Sequence, residues 1–324
     1  MVTGIGLFSG GLDSILAVKV LQEQNIEIIG VTFCTPFFGA ERAKEAAQQL
    51  IMEHRVVDIT EEHLRMVRHP KHGYGRNMNP CIDCHAMMFR KAGEILEREG
   101  ADLLFSGEVL GERPMSQNRG SLVRVARESG YEPLILRPLS AKLLPETQPE
   151  RDGKVDRQQL LDLHGRGRKR QLQLAAHYGI RDYPAPAGGC LLTDPIFSRR
   201  LQDLLQHRAT ATRQELELLK VGRHFRLDDR YKLVVGRSQQ DNERIRSLQA
   251  PGDLLLDAKD YPSPVGIMAE DAPPSLVHLA ASIVLRYSDA PSAQAVAVTV
   301  LDRRELREIS ALACSPEQTE RLMI

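Results

Sequence analysis

One stretch near the start of the chain constrains it more than any other: Gly4-Ile5-Gly6-Leu7-Phe8, then Ser9-Gly10-Gly11-Leu12-Asp13-Ser14, then Ile15-Leu16-Ala17-Val18-Lys19-Val20-Leu21. An apolar run ends in Ser-Gly-Gly, and a carboxylate, a hydroxyl and an apolar helix follow. Paired glycines let the backbone turn tightly and come close to a ligand. The N–H groups after them are the free donors of a helix N-terminus, where anions bind well. Asp13 would repel phosphate in a simple anion nest, and a divalent cation between carboxylate and phosphates resolves that conflict. The stretch therefore points to a nucleotide pyrophosphate held with Mg2+. The competing reading is a glycine turn with Ser or Asp capping a helix. No Gly-Lys-Ser/Thr follows, so this is not a Walker A loop.

The Ser9–Ser14 stretch resembles the SGGxDS loop of the PP-loop ATP pyrophosphatases. That resemblance implies an α/β fold of the adenine nucleotide α-hydrolase type, a parallel sheet with helices on both faces. It also implies cleavage of ATP between its α- and β-phosphates, adenylylation of a carbonyl oxygen, and displacement of AMP by a nucleophile. The family includes amidating enzymes and tRNA thiolation enzymes. By the same likeness Ser9, Gly10, Gly11, Leu12, Asp13 and Ser14 bind ATP and Mg2+.

The next segments agree with that fold. Ile26 to Phe33 is a buried strand by its β-branched run, and strand, helix, strand implies a parallel pair with a right-handed crossover. Ligands in such sheets lie beyond the carboxyl ends of the strands, which puts Phe33, Cys34 and Thr35 beside the nucleotide. Glu41–Met52 is expected to be a helix and Arg55–Ile59 a strand. A basic, breaker-rich loop, Arg68 to Asn77, leads into Met78-Asn79-Pro80-Cys81-Ile82-Asp83-Cys84-His85. A Cys-x-x-Cys is a redox pair, half of a zinc site, or part of an iron–sulfur site. The helix expected after it, Ala86 to Glu99, would lower the pKa of Cys84. A further strand, Ala101 to Glu108, ends in Ser-Gly-Glu, and a short one is expected at Leu134–Leu139.

The segment Ser106-Gly107-Glu108-Val109-Leu110-Gly111-Glu112-Arg113-Pro114-Met115-Ser116-Gln117 resembles the TGExLGQxxSQ stretch of the 4-thiouridine synthetases. There the glycine and the last glutamine contact ATP, which implies those roles for Gly107 and Gln117. This chain has one extra residue between them, and Glu112 stands where the motif has its first Gln. A helix end at Leu174–Ile180 is followed by Pro184-Ala185-Pro186-Ala187-Gly188-Gly189-Cys190. A cysteine after two glycines is expected to be accessible. The segment resembles the thiouridine synthetase region whose cysteine takes part in sulfur transfer. By that likeness Cys81, Cys84, Cys190 and Asp13 carry the catalysis. Three thiolates can hold a 4Fe–4S cluster with one iron open, so Cys81, Cys84 and Cys190 are candidate metal ligands. Zinc held by the three thiolates with His85 or water is the competing site. Persulfide enzymes instead pair one cysteine from each of the two places.

Composition narrows the setting. The chain has 324 residues, enough for two domains, and is 42% hydrophobic and 27% charged. Lys plus Arg equals Asp plus Glu at 43 each, which argues against a general nucleic-acid coat. From Arg151 to Arg170, however, seven Lys or Arg stand against three Asp, a candidate patch for phosphate contacts. No apolar run approaches 18 residues and no signal peptide is visible, so a cytoplasmic protein is expected. Five cysteines then point to metal or catalysis before disulfides.

The pattern changes near residue 210, giving an expected division into 1–208 and 209–324. Leu216–Leu227 and Tyr231–Arg237 read as short strands with a turn at Asp229-Arg230. Helices are expected from Ser238 and over Leu276–Tyr287, and an alternating strand over Ala295–Val300. The pieces Lys232…Val235-Gly236-Arg237…Asn242 and His278…Ala280-Ala281…Tyr287-Ser288 resemble the NFACT-R module, an RNA-associated domain. That likeness implies a smaller α+β C-terminal domain. Cys314 is assigned to a late polar helix with a structural role. The function expected is ATP-dependent tRNA thiolation. The partners would be tRNA and a sulfur donor such as a cysteine desulfurase or sulfide, with a homodimer also open. The alternatives are a PP-loop amidating or small-molecule sulfurtransferase enzyme, and a nucleotide-binding regulator without turnover.

Overall fold

The structure, a computed structural model, describes residues 1–183, 190–302 and 305–324. They form two compact units, Met1–Thr193 and Asp194–Ile324. No helix among the described residues is long and apolar enough to cross a membrane.

The first unit is built on five parallel strands: β1 (Thr3–Leu7), β2 (Glu27–Cys34), β3 (Glu53–Asp58), β4 (Leu103–Ser106) and β5 (Ile135–Leu136). Their order is β3-β2-β1-β4-β5, so the winding reverses between β1 and β4. Open parallel sheets bind ligands at such a reversal, off the carboxyl ends of the strands. Side chains alternate across the sheet because the strand period is two. Ile28, Leu103 and Phe105 face a core shared with helices α1 (Leu12–Gln22) and α2 (Glu41–Leu50). Ile5, Ile29 and Leu104 face a second core. There they meet α4 (Cys81–Glu99) and α5 (Arg119–Ser129), with α3 (Thr60–Arg68) beside α4. The unit is completed by a single turn, α6 (Gln148–Arg151), and by α7 (Lys169–His177), which joins the α1 side through Ala175. Helices thus cover both faces, as the sequence led one to expect.

The second unit is an antiparallel sheet with helices. It begins with α8 (Pro195–His207) and α9 (Arg213–Leu218), followed by β6 (Arg223–Arg226), β7 (Lys232–Val235) and α10 (Gln239–Ser247). Then come β8 (Asp253–Ala258), β9 (Gly266–Ala269), α11 (Pro274–Arg286), β10 (Val296–Leu301), β11 (Leu306–Ala311) and α12 (Pro316–Leu322). The strand order is β11-β10-β8-β9-β7-β6. The apolar side of α11, with Val277, Ala280, Ala281 and Val284, packs on one face of this sheet.

Several expectations change. Residues 216–218 are helical, because Thr212 and Glu215 close a capping box that starts α9; the strand begins at Arg223. Cys314 precedes α12 and is buried in the sheet–helix core, where its amide donates to Ser282 O at 2.9 Å. The segment α8, counted with the first half on sequence grounds, belongs to the second unit.

Candidate active site

The loop between β1 and α1 lies at the winding reversal. Gly10 has φ +71°, and a Cβ there would sit 2.5 Å from Arg42 O, so only glycine fits. Ser9 Oγ accepts the Gly11 amide at 3.3 Å, and Ser14 Oγ donates to Gly11 O at 2.8 Å. Gly11 is the N-cap of α1 and offers no side chain to the first turn, so that end of the helix is left for a ligand. Gly107, just beyond β4, packs backbone to backbone against this turn. A Cβ on it would lie 2.5 Å from the Asp13 carbonyl carbon and the Ser14 nitrogen.

Asp13 Oδ1 is buried and has no hydrogen-bond partner among the described residues. Burial raises the Asp13 carboxyl above its ordinary pKa, and Arg168 and Arg113 oppose that rise. Glu112 is likewise raised by burial and then by the charge of Asp13. Arg168 Nε is also buried and unpartnered among the described residues. Asp13, in the first turn of α1, and Glu112 thus lie within electrostatic reach of each other and of the Arg113 and Arg168 guanidinium groups. An orphaned carboxylate oxygen at that place fits a hard divalent cation carrying phosphates.

The other nucleotide-site candidates are placed differently. Phe33 puts its ring into the core with Ile59 and Met87, so only its backbone remains for a nucleotide. Gln117 is buried, and its side-chain oxygen accepts the Arg113 amide at 3.1 Å, which closes the 111–117 turn. Cys34 is half-buried at the end of β2.

The cysteines join this site through two bridges. The CxxC lies inside α4, which starts at Cys81 and not at Ala86. Next to Cys84, His85 Nδ1 donates to Glu108 Oε1 at 2.9 Å. Glu108 is fully buried beside Gly107, and its Oε2 accepts Arg137 Nε at 2.9 Å and Ser106 Oγ at 3.1 Å. Burial alone would raise the Glu108 carboxyl, but Arg137 and then His85 outweigh it and hold it at about 2. The second bridge runs from the breaker-rich loop. Asn77 Nδ2 donates to Thr193 O at 2.7 Å, and Thr193 Oγ1 donates to Cys190 O at 2.8 Å. That loop is itself pinned to α4, because His72 Nδ1 meets Asp83 Oδ1 at 2.6 Å.

Cys81, Cys84 and Cys190 are close enough to act on one another electrically. The Cys84 thiol is pushed well above its ordinary pKa by burial, then by Cys190 and Cys81. This corrects the expectation of a lowered value: the helix N-terminus is outweighed by complete burial. Cys190 is half-buried and not freely accessible, and burial pushes its thiol up to about 11. Burial also raises Cys81, with Arg113 opposing. Cys84 Sγ lies 3.4 Å from Nε2 of His63, an imidazole buried against Phe37 and Phe38. Burial lowers His63 to about 4, so it is neutral.

Among the described residues no group of three or more His, Cys, Asp or Glu is disposed to hold a metal ion. As placed, the thiols do not make the donor set of a cluster or a zinc site. Residues 184–189, with Gly188 and Gly189, lie outside the described residues. The basic stretch is largely spent internally: Lys154 pairs with Asp102, Arg157 with Glu150 and Arg170 with Asp162. Sequence reading missed Arg113, Glu108, Arg137 and His63. A carboxylate directly after a strand-end glycine was a visible signal for Glu108; nothing local marked His63.

Comparison with known proteins bears on both units. Residues 222–323 match the family model described as NFACT protein RNA binding domain. The chain is 33% identical over 108 residues to the tRNA-specific 2-thiouridylase MnmA of Syntrophomonas wolfei, which is 31% of this chain and 31% of that protein. It is 32% identical over 113 residues to a probable tRNA sulfurtransferase of Methanosarcina mazei, 33% of this chain and 28% of that protein. The matches therefore span about a third of those relatives' length. A crystal structure of a 4-thiouridine synthetase–RNA complex with bound ATP aligns with a TM-score of 0.33 at 24% identity, over 42% of this chain and 36% of that one.

Proposed function

We propose that this chain, which resembles the PP-loop tRNA thiolation enzymes and carries an NFACT-R-like second unit, is an ATP-dependent, AMP-forming tRNA sulfurtransferase. One observation carries the reading: the run of contacts from Asp13 and Ser14 to Gly107, from Glu108 to His85, and so to the CxxC. It supports a reading in which sulfur chemistry at the CxxC works beside nucleotide chemistry at the Ser9–Ser14 loop. The similarity to 2-thiouridylases and to a probable tRNA sulfurtransferase supports the same class.

The loop amides and the first turn of α1 bind the ATP phosphates, with Arg113 and Arg168 as counter-charges. Asp13 and Glu112 would hold Mg2+, which supplies charge neutralisation at the phosphates. A base carbonyl oxygen attacks the α-phosphorus, pyrophosphate leaves, and the oxygen is adenylylated. A cysteine desulfurase, as sulfur donor, passes the outer sulfur of its own persulfide to one cysteine thiolate and keeps its thiol; free sulfide, the other donor class, would instead attack the activated carbon directly and need no persulfide. The terminal sulfur attacks the activated carbon and AMP departs with the oxygen. A second thiolate then attacks the Sγ of the loaded cysteine, the Sγ–S bond breaks with its electrons going to the outer sulfur, and the thiocarbonyl is freed, leaving a Cys–Cys disulfide for a thiol reductant. Cys190 and one cysteine of the CxxC fill these two roles. A raised thiol pKa suits a resting, protonated thiol that is activated only when substrate rearranges the site.

The test is a two-step assay with tRNA, ATP, a cysteine desulfurase with cysteine as the sulfur source, and a thiol reductant. Asp13→Asn is expected to lose pyrophosphate release by about 100-fold or more. Cys190→Ser is expected to keep pyrophosphate release and lose the thionucleoside seen by mass spectrometry. Wild-type thiolation by Cys190→Ser, or wild-type pyrophosphate release by Asp13→Asn, would sink the reading.

A further inference from the structure

Where α8 meets β6 and β7, several cationic side chains of the second unit are buried around a single carboxylate, Asp203. Antiparallel pairing sets Arg226 opposite Lys232 and His224 opposite Val234, on one face of β6 and β7. Onto this face α8 brings Arg200 and Asp203. Asp203 accepts Arg226 Nε at 3.0 Å and Arg226 Nη2 at 2.5 Å. Lys232 Nζ lies 3.4 Å from the same carboxylate, an ion pair without a well-directed hydrogen bond. His207 Nδ1 stands 3.7 Å from its other oxygen. Arg200 donates to Leu219 O at 2.9 Å and to Gly222 O at 2.8 Å. Arg226 and Lys232 therefore share the one Asp203 carboxylate, while Arg200, one turn away on α8, is spent on backbone carbonyls.

Three polar atoms are left over. Arg200 Nε, Lys232 Nζ and His224 Nδ1 are buried with no hydrogen-bond partner among the described residues. Unmade hydrogen bonds at buried polar atoms are expensive, and an uncompensated buried cation more so. His224 Nε2 meets Val221 O at 2.9 Å and so carries the hydrogen; the Leu218 carbonyl also acts on the ring, and Nδ1, without a hydrogen-bond partner among the described residues, is left as an acceptor. The groups sense one another: His224 is held neutral by burial, then by Lys232 and Arg200. Burial pulls the Lys232 ammonium down to about 8.

We propose that Lys232, Arg200 and His224 form a binding site for a hydrogen-phosphate group, free or at the end of a nucleotide. Arg200 Nε and Lys232 Nζ donate to its oxygens, and its own O–H donates to His224 Nδ1. Two donors beside one acceptor match an oxyanion that keeps a proton at neutral pH. Sulfate has none, and against it the bare nitrogen is repulsive. The site is independent of the chemistry assigned to the first unit.

The experiment is thermal unfolding of the full chain at fixed ionic strength in chloride, sulfate, phosphate or a nucleoside monophosphate. Phosphate is expected to raise the unfolding midpoint saturably by several degrees, while sulfate and chloride do not. Lys232→Met, which removes a buried charge that shares its one counter-ion, Asp203, with Arg226, is expected to be as stable as wild type without phosphate and to lose the phosphate increment. The variant also separates this site from phosphate bound at the Ser9–Ser14 loop. A response to inorganic phosphate alone assigns the site to the free ion, and a response to the nucleotide as well assigns it to terminal phosphates. Equal responses to sulfate and phosphate mean an adventitious ion only and overturn the proposal, as does a full increment in Lys232→Met. If that variant does not fold, wild-type crystals grown in arsenate decide. An anomalous peak between Lys232, Arg200 and His224 supports the site, and none at saturating arsenate overturns it.

Discussion

Replacing Gly107 by alanine would drive a methyl group into the backbone of Asp13 and Ser14, where no flexible side chain can yield. Overpacking of this kind costs about 1–3 kcal/mol. We expect Gly107→Ala to lower the melting temperature and to weaken ATP binding at least tenfold; calorimetry showing unchanged affinity would remove Gly107 from the nucleotide wall. Glu108 makes a different prediction. Its carboxyl titrates at about 2 in the fold against an ordinary 4.5. The stability it contributes, about 3 kcal/mol, is complete above pH 4.5 and is lost as pH falls toward 2. Glu108→Gln is expected to flatten that part of the acid-unfolding curve. At neutral pH it should cost about 3–5 kcal/mol, because Arg137 stays buried without a counter-charge. An unchanged acid limb would show that the pair is not what holds the carboxyl down. Sequence made Gly10, Asp13 and Gly107 visible because their roles depend on local turns. It could not reveal that Cys84 ends up against His63, since only the packing of α3 beside α4 brings the two together.

Element boundaries followed caps more than apolar pattern. The Thr212…Glu215 capping box was written in the sequence, yet the leucines after it suggested a strand. The start of α4 carried no such signal, because Pro80 caps it without a side-chain hydrogen bond. The segment α8 matters most for dissection. It buries Phe197, Leu201 and Leu204, and its Arg200 ties down the carbonyls that follow α9. Each fully buried apolar side chain is worth about 1.5–3 kcal/mol, so losing three rivals the whole stability of a small domain. A fragment from Asp194 to Ile324 is expected to unfold cooperatively, and one starting at residue 209 is not. Equal melting of the two fragments would return α8 to the first half.

The order of elements along the whole molecule was largely readable, because strand and helix alternate through the first unit and antiparallel strands dominate the second. The six-stranded order was not, since β8 and β9 carry short apolar runs without turn signals that name their neighbours. Nor was the fate of the basic stretch, whose charges face partners set by the fold. One feature of the sheet bears on how the chain is made. Strand β1 is made before the other strands of its sheet, but one of its two neighbours is β4, and the tie from Thr3 to Asp102 spans 99 residues. Until that much chain has been synthesised, β1 can pair with β2 alone and its other edge stays open. The loop exists early in translation, but its wall at Gly107 does not. A nascent chain paused before β4 therefore presents a sticky strand edge without nucleotide affinity, and it is in that interval that a chaperone has something to protect.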